Sequence, residues 1–472
     1  MSAAAAQLGG GGGGAHKEDD SDTDTDSDDD EAPLHPPPPQ SAFFTTTLLL
    51  ELGVDSLMRV QSFMFMGLRD LARISRTSKE YYMETERATK SMLLELVTER
   101  KIISWVARVG RGPHMERVGN RSFKRLMFEL TRTRILLMGG EGGFDRVDVV
   151  DVTRNLMGLV VGEGKWAMGG VVWETCPSMP RGGRVVFGAV YRRGEVVVTN
   201  GGSADRFDVI SRRWVEVEHK APQDLTNVSA ALLNDKIYVT GGYFKNAQGA
   251  RVSTNTVLTL EDSSSSSSSF SSSSSSSLLD PTKAKFVQQE DAKQLIITAR
   301  RSHASAVHDN KLWISGGGDV NNNALRSVEV LDLAVGRMEM RAQSMQRRRV
   351  YHSLVKVNGE LYAVGGDVTL RAEGGMSIEK MSNKTGAWQV IVGEYQGGGP
   401  RFGCAAVAVD SKIFVFGGSN ADVTIFNRTW DAFDVSTQQW ASATIPKKSR
   451  KLPRKQFDFG QAVVLPALIA MS

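Results

Sequence analysis

The feature that most constrains the fold of this chain is a repeat in which a short aliphatic run ends in a pair of glycines. The repeat occurs six times, and its first glycines lie 40 to 75 residues apart. Such self-similarity is typical of architectures in which each repeat folds as one supersecondary unit. The glycine pairs are Gly139 and Gly140, Gly201 and Gly202, Gly241 and Gly242, Gly316 and Gly317, Gly365 and Gly366, and Gly417 and Gly418.

Each glycine pair is preceded by a hairpin pattern and followed by further strand patterns. SHASAVHDNKLWISGG and YHSLVKVNGELYAVGG are examples of two apolar runs that flank a polar turn. Downstream runs such as RFDVISRRW and AFDVSTQQW end in Trp214 and Trp440. Because four strands per repeat are typical of a propeller blade, the sequence predicts a mainly β protein with a six-bladed β-propeller over residues 131–472.

The closure of this ring is also predicted from the sequence. The segment KQFDFGQAVVLP resembles the first strand of a repeat, but no glycine pair follows it. We expect it to pair with residues 135–138, because closure removes open sheet edges. A seventh, partial blade from residues 121–129 remains an alternative. We expect the glycine pairs where blades crowd together, since glycine enters positive φ without a steric penalty.

The remaining segments differ from the propeller in composition. Residues 1–40 hold ten carboxylates and one lysine, a net charge of −9 that leaves +13 for the rest of the chain. With their glycine and proline runs, they are predicted to form a disordered tail. Apolar residues spaced by three and four predict a small α-helical domain over 48–90 and a helical linker over 91–130. A serine tract predicts a flexible insertion over 261–280.

Several other functional classes find no support in the sequence. Cys176 and Cys404 are the only cysteines, and without a Cys/His cluster we expect neither a disulfide framework nor a metal site. The absence of long apolar runs predicts a soluble protein, cytoplasmic and/or nuclear. No P-loop, GxSxG or HExxH motif is present, so we expect a non-catalytic protein without a cofactor. The basic residues are dispersed, and we do not expect nucleic-acid binding.

Two known families resemble parts of this chain. The repeat resembles the kelch repeat in its sequence of arginine, apolar strand, glycine pair and downstream tryptophan. Residues 52–82, LGVDSLMRVQSFMFMGLRDLARISRTSKEYY, resemble an F-box through Leu52, Asp55 and Leu57, although Gly53 stands where proline is usual. A generic helical cap is the alternative interpretation of this F-box-like domain.

The resemblance implies a substrate-recognition subunit of an SCF-type (Skp-cullin-F-box) E3 ubiquitin ligase. The F-box-like domain would bind a Skp-type adaptor and cullin through exposed apolar residues, while the kelch propeller binds a target protein. The same apolar residues could instead form the core of a self-contained helical domain. The alternative function is a non-catalytic kelch scaffold, for example cytoskeletal, without a ligase role. The candidate adaptor-binding residues are Leu52, Leu57, Val60, Phe63, Leu71 and Ile74.

Arginines recur just before the first strand of several repeats. Kelch propellers commonly bind ligands at one mouth of the central channel, and the resemblance places these arginines there. Because guanidinium groups bind carboxylates and phosphates bidentately, we predict an acidic or phosphorylated degron as the ligand. Each arginine could instead be a solvated turn residue. The candidate substrate-binding residues are Arg181, Arg184, Arg300, Arg301, Arg347, Arg348, Arg349, Arg401 and Arg454.

Overall fold

A computed structural model describes residues 132–467 of this chain, apart from 142, 153–170, 172, 210–211, 218–223, 262–283, 292–294, 371–374, 394, 396–400, 421–423, 444 and 455–456. The predicted tail at 1–40, the F-box-like domain at 48–90 and the linker at 91–130 lie outside these residues. The candidate adaptor-binding residues, the alternative seventh blade at 121–129 and all but the first residue of the serine insertion also lie outside them.

The described residues form six four-stranded antiparallel sheets, one for each blade. The strands of the first three blades are β1 (Arg134–Met138), β2 (Val147–Asp151) and β3 (Trp173–Cys176) in blade one; β4 (Gly188–Arg192), β5 (Glu195–Thr199), β6 (Ala204–Asp208) and β7 (Arg213–Glu216) in blade two; and β8 (Ser229–Leu233), β9 (Lys236–Thr240), β12 (Val257–Glu261) and β13 (Lys285–Gln288) in blade three. A separate hairpin of β10 (Tyr243–Lys245) and β11 (Arg251–Ser253) lies between β9 and β12.

The remaining three blades repeat the same order of strands. They are β14 (Ala304–His308), β15 (Lys311–Ser315), β16 (Val328–Asp332) and β17 (Arg337–Met340) in blade four; β18 (Ser353–Val357), β19 (Glu360–Val364), β20 (Ile378–Met381) and β21 (Trp388–Val392) in blade five; and β22 (Ala405–Val409), β23 (Lys412–Phe416), β24 (Trp430–Asp434) and β25 (Gln439–Trp440) in blade six. Two short 3-10 helices, Ala441–Ala443 and Lys447–Arg450, precede β26 (Gln461–Leu465).

The ring closes in the way that the sequence predicts. Strand β26 pairs antiparallel with β1, from Arg134 opposite Leu465 to Met138 opposite Gln461, and so becomes the innermost strand of blade one. Each innermost strand contacts the innermost strands of both neighbouring blades, including β22 with β26 and β26 with β4. The six-bladed propeller is therefore confirmed. Among the described residues, no helix combines the length and apolar character that crossing a membrane requires.

The glycine pairs follow the second strand of every blade, at the junction with the next blade. Gly317 donates its backbone N–H to the carbonyl of Arg349, which precedes the innermost strand of the next blade, at 2.8 Å. Gly316 has a φ of +59°, and a Cβ there would lie 2.7 Å from the Arg349 carbonyl oxygen and 2.8 Å from the His352 ring. Any larger residue would push the two blades apart, because backbone cannot yield to such a contact.

Apolar side chains from facing sheets form the core between blades. Between blades one and two, Leu136 and Val149 pack in one cluster with Val196 and Phe207, all at most 3% exposed. Trp214 on the outer strand β7 packs against this cluster, with its ring 5.0 Å from that of Phe207. The outer tryptophan thus covers the apolar seam between the sheets, as large aromatic side chains do in many cores.

Candidate functional site

The propeller has a central channel whose opening lies at the end where the glycine pairs are found. Its cavity volume is about 340 Å³. Small side chains such as Ala189, Ser229, Ala304 and Ala406 on the innermost strands line it. We call this end the glycine-pair face: it comprises the six glycine pairs, the connections from them to each third strand, and the residues that lead into each innermost strand.

Five of the nine predicted substrate-binding arginines are buried. None of the five is more than 6% exposed, and each lies just before an innermost strand, inside its own blade. In Arg300, Arg349, Arg401 and Arg454 the guanidinium donates to the carbonyl of the first glycine of the pair in the same blade. The five are Arg184, Arg300, Arg349, Arg401 and Arg454.

Arg349 shows how such a guanidinium is held. Its Nη1 donates to the carbonyl of Gly365 at 2.6 Å, and its Nη2 donates to the Ser377 hydroxyl at 2.8 Å and to the Glu379 carboxylate at 2.9 Å. Arg349 and Glu379 are both fully buried. Burial lowers the pKa of Arg349 from its ordinary value, and the negative charge of Glu379 opposes that shift. Each group thus has a hydrogen-bonding partner of opposite charge inside the blade.

The same arrangement recurs in three other blades. Arg300 pairs with Glu329, Arg184 with Asp205 and Arg454 with Asp148, in each case on the third strand of the same blade. Arg401 instead donates to the backbone carbonyls of Gly417 and Thr429. The prediction that these five arginines bind an acidic ligand does not fit this geometry, because burial removes their guanidinium groups from solvent and partners in their own blades already occupy them.

Blade three lacks both members of this buried pair. Leu225 takes the place of the arginine and Leu258 that of the carboxylate, and both are buried. Both members are replaced together, as expected if an unpaired buried charge costs several kcal/mol. The arginine is thus tied to the internal structure of a blade.

The other four predicted arginines are at least partly exposed on the glycine-pair face. Arg181 pairs with the exposed Glu216 at 2.8 Å, and Arg348 donates to the Ala324 carbonyl at 2.8 Å. Arg347 donates to the Thr369 hydroxyl at 2.8 Å. These three bonds are to groups near the surface, and Arg181 and Arg347 also lie 3.6 and 3.8 Å from the buried carboxylates of Asp205 and Asp367.

Arg301 lies beside the extra hairpin of blade three. Its guanidinium donates to the Ser253 hydroxyl, and its Cζ lies 5.9 Å from the centre of the Tyr243 ring. The exposed Arg251 lies over the same ring at 5.3 Å. The hairpin therefore places positive charge next to blade four.

Exposed basic residues outnumber exposed acidic ones in the described connections of the glycine-pair face. This imbalance gives the face a positive potential, which attracts acidic segments at long range. The exposed basic residues are Arg181, Lys245, Arg251, Arg326, Arg348, Arg428, Lys447, Lys448 and Lys451. The exposed acidic residues are Asp145, Asp224, Glu290 and Asp291.

Exposed apolar side chains on the same face were missed by the reasoning from sequence. Phe144, Val320 and Ile425 are 50, 55 and 59% exposed, and each lies in a connection between a glycine pair and a third strand. Each follows its glycine pair by only a few residues, where polar turn residues are usual. An apolar residue at such a position was therefore the sequence signal that could have identified these exposed side chains. Apolar groups on a charged rim are typical of protein-binding surfaces.

The histidines near the arginines are structural. His303 and His352 are buried and contact the hydroxyls of Thr240 and Ser315 in the preceding blade at 2.9 and 2.8 Å. Burial, with the nearby charge of Arg300, lowers the pKa of His303 to about 3. Among the described residues, no group of three or more His, Cys, Asp or Glu side chains is arranged to hold a metal ion.

Two known proteins and one family model are similar to parts of this chain. The solved structure of YjhT is 11% identical to this chain, with a TM-score of 0.45, and the match covers 59% of this chain and 87% of that one. Residues 272–460 match a family model described as the KLHDC2/KLHL20/DRC7 Kelch-repeats domain. Kelch-like protein 26 of Danio rerio is 24% identical over 257 residues, which span 53% of this chain and 36% of that protein. The matched parts of this chain, which lie within the propeller and its neighbouring segments, are thus similar to kelch-repeat sequences.

Proposed function

We propose that this chain is the substrate-recognition subunit of an SCF-type E3 ubiquitin ligase. In this proposal the propeller binds a target protein at the glycine-pair face, and the F-box-like domain at 48–90 binds a Skp-type adaptor and cullin. The ligase role rests on the sequence resemblance of residues 52–82, which lie outside both the described residues and the range of the family match.

One observation carries the target-binding half of the proposal. The exposed arginines and the exposed apolar residues Phe144, Val320 and Ile425 lie on one face of the propeller, around the channel opening. Apolar groups supply most of the binding free energy of a protein interface, while charges around them set orientation and association rate. An acidic or phosphorylated segment of the target suits this combination.

The proposed subunit would make and break no bond itself. Binding the target and the ligase at the same time raises the effective concentration of the target near the ubiquitin-transfer machinery. A rigid propeller suits this role, because its face is already formed before the target binds. The arginines buried inside the blades contribute to that rigidity, since their bonds connect the strands of a sheet.

Co-purification with a Skp-type adaptor and cullin tests the ligase half of the proposal. We expect the wild-type chain to capture both, and Leu57→Asp or Val60→Asp to abolish capture, because a charge in an apolar docking surface costs on the order of 3 kcal/mol. Ser62→Asp is the matched control, since helical spacing places residue 62 on the side opposite 57 and 60. Circular dichroism should show the same propeller signal in every variant.

Failure of the wild type to capture the adaptor would contradict the ligase role. The kelch scaffold without a ligase role would then be the better description. Equal loss of capture in Ser62→Asp would show that the predicted helix is merely disrupted by charge and that no apolar docking face has been identified.

A further inference from the structure

A ring of unusual backbone conformation surrounds the channel opening. In all six blades, the residue two positions before the innermost strand has a positive φ, between +51° and +68°. Only one of the six is glycine, although glycine alone enters this region without a steric penalty. The six rim residues are Val186, Asn227, Ser302, Tyr351, Gly403 and Phe459.

Backbone hydrogen bonds connect these rim residues from blade to blade. The N–H of Tyr351 donates to the carbonyl of Ser302, and the N–H of Phe459 donates to that of Gly403, at 2.9 and 2.8 Å. Val186 donates to Phe459 in the same way at 2.9 Å. These bonds join Asn227, Ser302 and Tyr351 in one series and Gly403, Phe459 and Val186 in another. The side chains of Val186, Ser302, Tyr351 and Phe459 line the cavity.

Two aromatic rim residues meet across blade six. The rings of Tyr351 and Phe459 lie 4.9 Å apart, edge to face, although blade six separates their blades. Gly403 makes this contact possible, because a Cβ there would lie 2.6 Å from the Phe459 ring. The buried Phe402 supports both rings from below, at 5.9 and 6.3 Å. We call the Tyr351–Phe459 pair the aromatic bridge.

The aromatic bridge is only partly buried, and its surroundings are basic. Both rings are partly accessible at the cavity opening, and the Tyr351 hydroxyl makes no hydrogen bond to any described residue. Arg347 and Arg348 lie four and three residues before Tyr351 in the same connection, and they are partly exposed and exposed, respectively. A bulky aromatic residue at positive φ is a backbone outlier, and such outliers persist mainly at functional sites.

We propose that the aromatic bridge is the anchor site for one apolar or aromatic side chain within an acidic protein segment. The inference deepens the proposed function and rests on it only for the statement that the ligand is a protein. The ring edges and the open half of the channel mouth accept the apolar side chain. The tyrosine hydroxyl and the arginines of the same connection bind the flanking carboxylates.

Selection from a random peptide library tests this directly. The full-length chain is immobilised, and bound 12-residue peptides are sequenced and then measured by fluorescence anisotropy. We expect the enriched peptides to share one aromatic or long aliphatic residue flanked by Asp or Glu. A synthetic peptide of residues 18–31, EDDSDTDTDSDDDE, is acidic without an apolar residue and should bind at least tenfold more weakly.

Paired substitutions separate a binding role of the bridge from a structural one. Phe459→Gly and Phe459→Ala should each weaken the enriched peptides at least tenfold, because both remove the ring. The Gly variant should nevertheless have a higher melting temperature than the Ala variant, since glycine tolerates the left-handed backbone conformation. Tyr351→Gly and Tyr351→Ala should behave in the same way. Val335→Ala, an exposed position in a turn at the other end of the propeller, is the control.

Three outcomes would overturn the inference. Enriched peptides without an apolar residue, or no enrichment at all over a blank surface, would exclude an anchor site. If the Gly variants bind the peptides as tightly as the wild type, the aromatic bridge contributes only to the packing of the protein. The adaptor capture described above is independent of these results: if peptides bind but no adaptor is captured, the anchor site stands and the ligase role fails.

Discussion

Arg300 and Arg301 are neighbours in the chain but belong to different physical environments. Arg300 is fully buried and pairs with Glu329 inside blade four, whereas Arg301 is partly exposed and lies beside the ring of Tyr243. Arg349 and Arg348 repeat this contrast in blade five. Two arginines in the same sequence motif can therefore have opposite roles: one fixes the strands of a blade, and the other is available to a ligand.

The difference follows from the direction of each side chain at the end of a strand. Consecutive residues in extended chain point to opposite sides, so one arginine of each pair faces the sheet and the next faces solvent. The inward guanidinium of Arg300 or Arg349 can be buried because a carboxylate and the glycine carbonyl stand opposite it. Basic residues that precede a blade therefore cannot all be assigned to one binding surface.

The sharpest test replaces the buried and the exposed arginine of blade five separately. Arg349→Met should destabilise the protein by about 3–5 kcal/mol, because Glu379 would remain buried without its counter-ion. Arg348→Met should change stability by no more than about 0.5 kcal/mol, as is usual for exposed positions. Urea unfolding followed by tryptophan fluorescence measures both. Similar losses of unfolding free energy in the two variants would contradict the assignment of different roles to Arg349 and Arg348.

Asp458 is a buried carboxylate that lacks the guanidinium partner of the others. It is fully buried and makes no ion pair with any described residue. Burial and the negative charge of Glu141 raise the pKa of Asp458 to about 6, with the Ser419 hydroxyl acting in the opposite direction. Because the folded-state pKa lies above the unfolded value of 3.8, the folded protein binds the extra proton between these values.

The free energy of unfolding should therefore fall as the pH rises from about 4 to about 6. The contribution of Asp458 to this fall is on the order of 3 kcal/mol. Asp458→Asn removes the charge and should flatten that part of the curve, so that the variant exceeds wild type at pH 7.5. Thermal melts from pH 4 to pH 8 give the comparison. A variant that follows the wild-type curve throughout would show that Asp458 does not titrate in this range.

Blade three suggests that the buried pair can be exchanged for apolar residues. The double variant Arg300→Met with Glu329→Leu should lie within about 1 kcal/mol of wild type, since well-packed apolar residues often replace a buried ion pair at little cost. Arg300→Met alone should lose about 3–5 kcal/mol. A double-mutant cycle by urea unfolding measures the coupling. An additive double variant would show that the two side chains do not depend on each other.

The smallest expected effect concerns the exposed arginines as ligand contacts. Arg347→Ala with Arg348→Ala should weaken binding of the selected acidic peptides by about 5–10-fold at low salt, and less at high salt because exposed charges are screened. Stability should change by less than about 0.5 kcal/mol. Anisotropy titrations in 20 and 300 mM salt, conditions on either side of physiological ionic strength, provide the measurement. Salt-independent binding would exclude an electrostatic contribution from this pair.

Much of the architecture was predictable because it depends on local rules. The six glycine pairs, the hairpin before each of them and the unpaired strand near residue 461 predict six blades and the closure of the ring. These signals survive in a single sequence because glycine is required wherever blades meet. Whether each arginine is buried or exposed was not predictable, because Arg300 and Arg301 are chemically identical. The path of the chain before β14 decides which of the two faces the sheet.

The rim and its aromatic bridge could not be predicted either. Tyr351 and Phe459 are residues that normally avoid positive φ, so their types argue against the conformation that they adopt. The repeat and the positions of the glycine junctions could be deduced from the amino-acid sequence, because steric rules act on neighbouring residues. Which charges are buried and which rings meet at the channel follow from the folded chain alone, because they depend on contacts between separate segments, 30 residues apart for Arg349 and Glu379 and more than 100 for Tyr351 and Phe459.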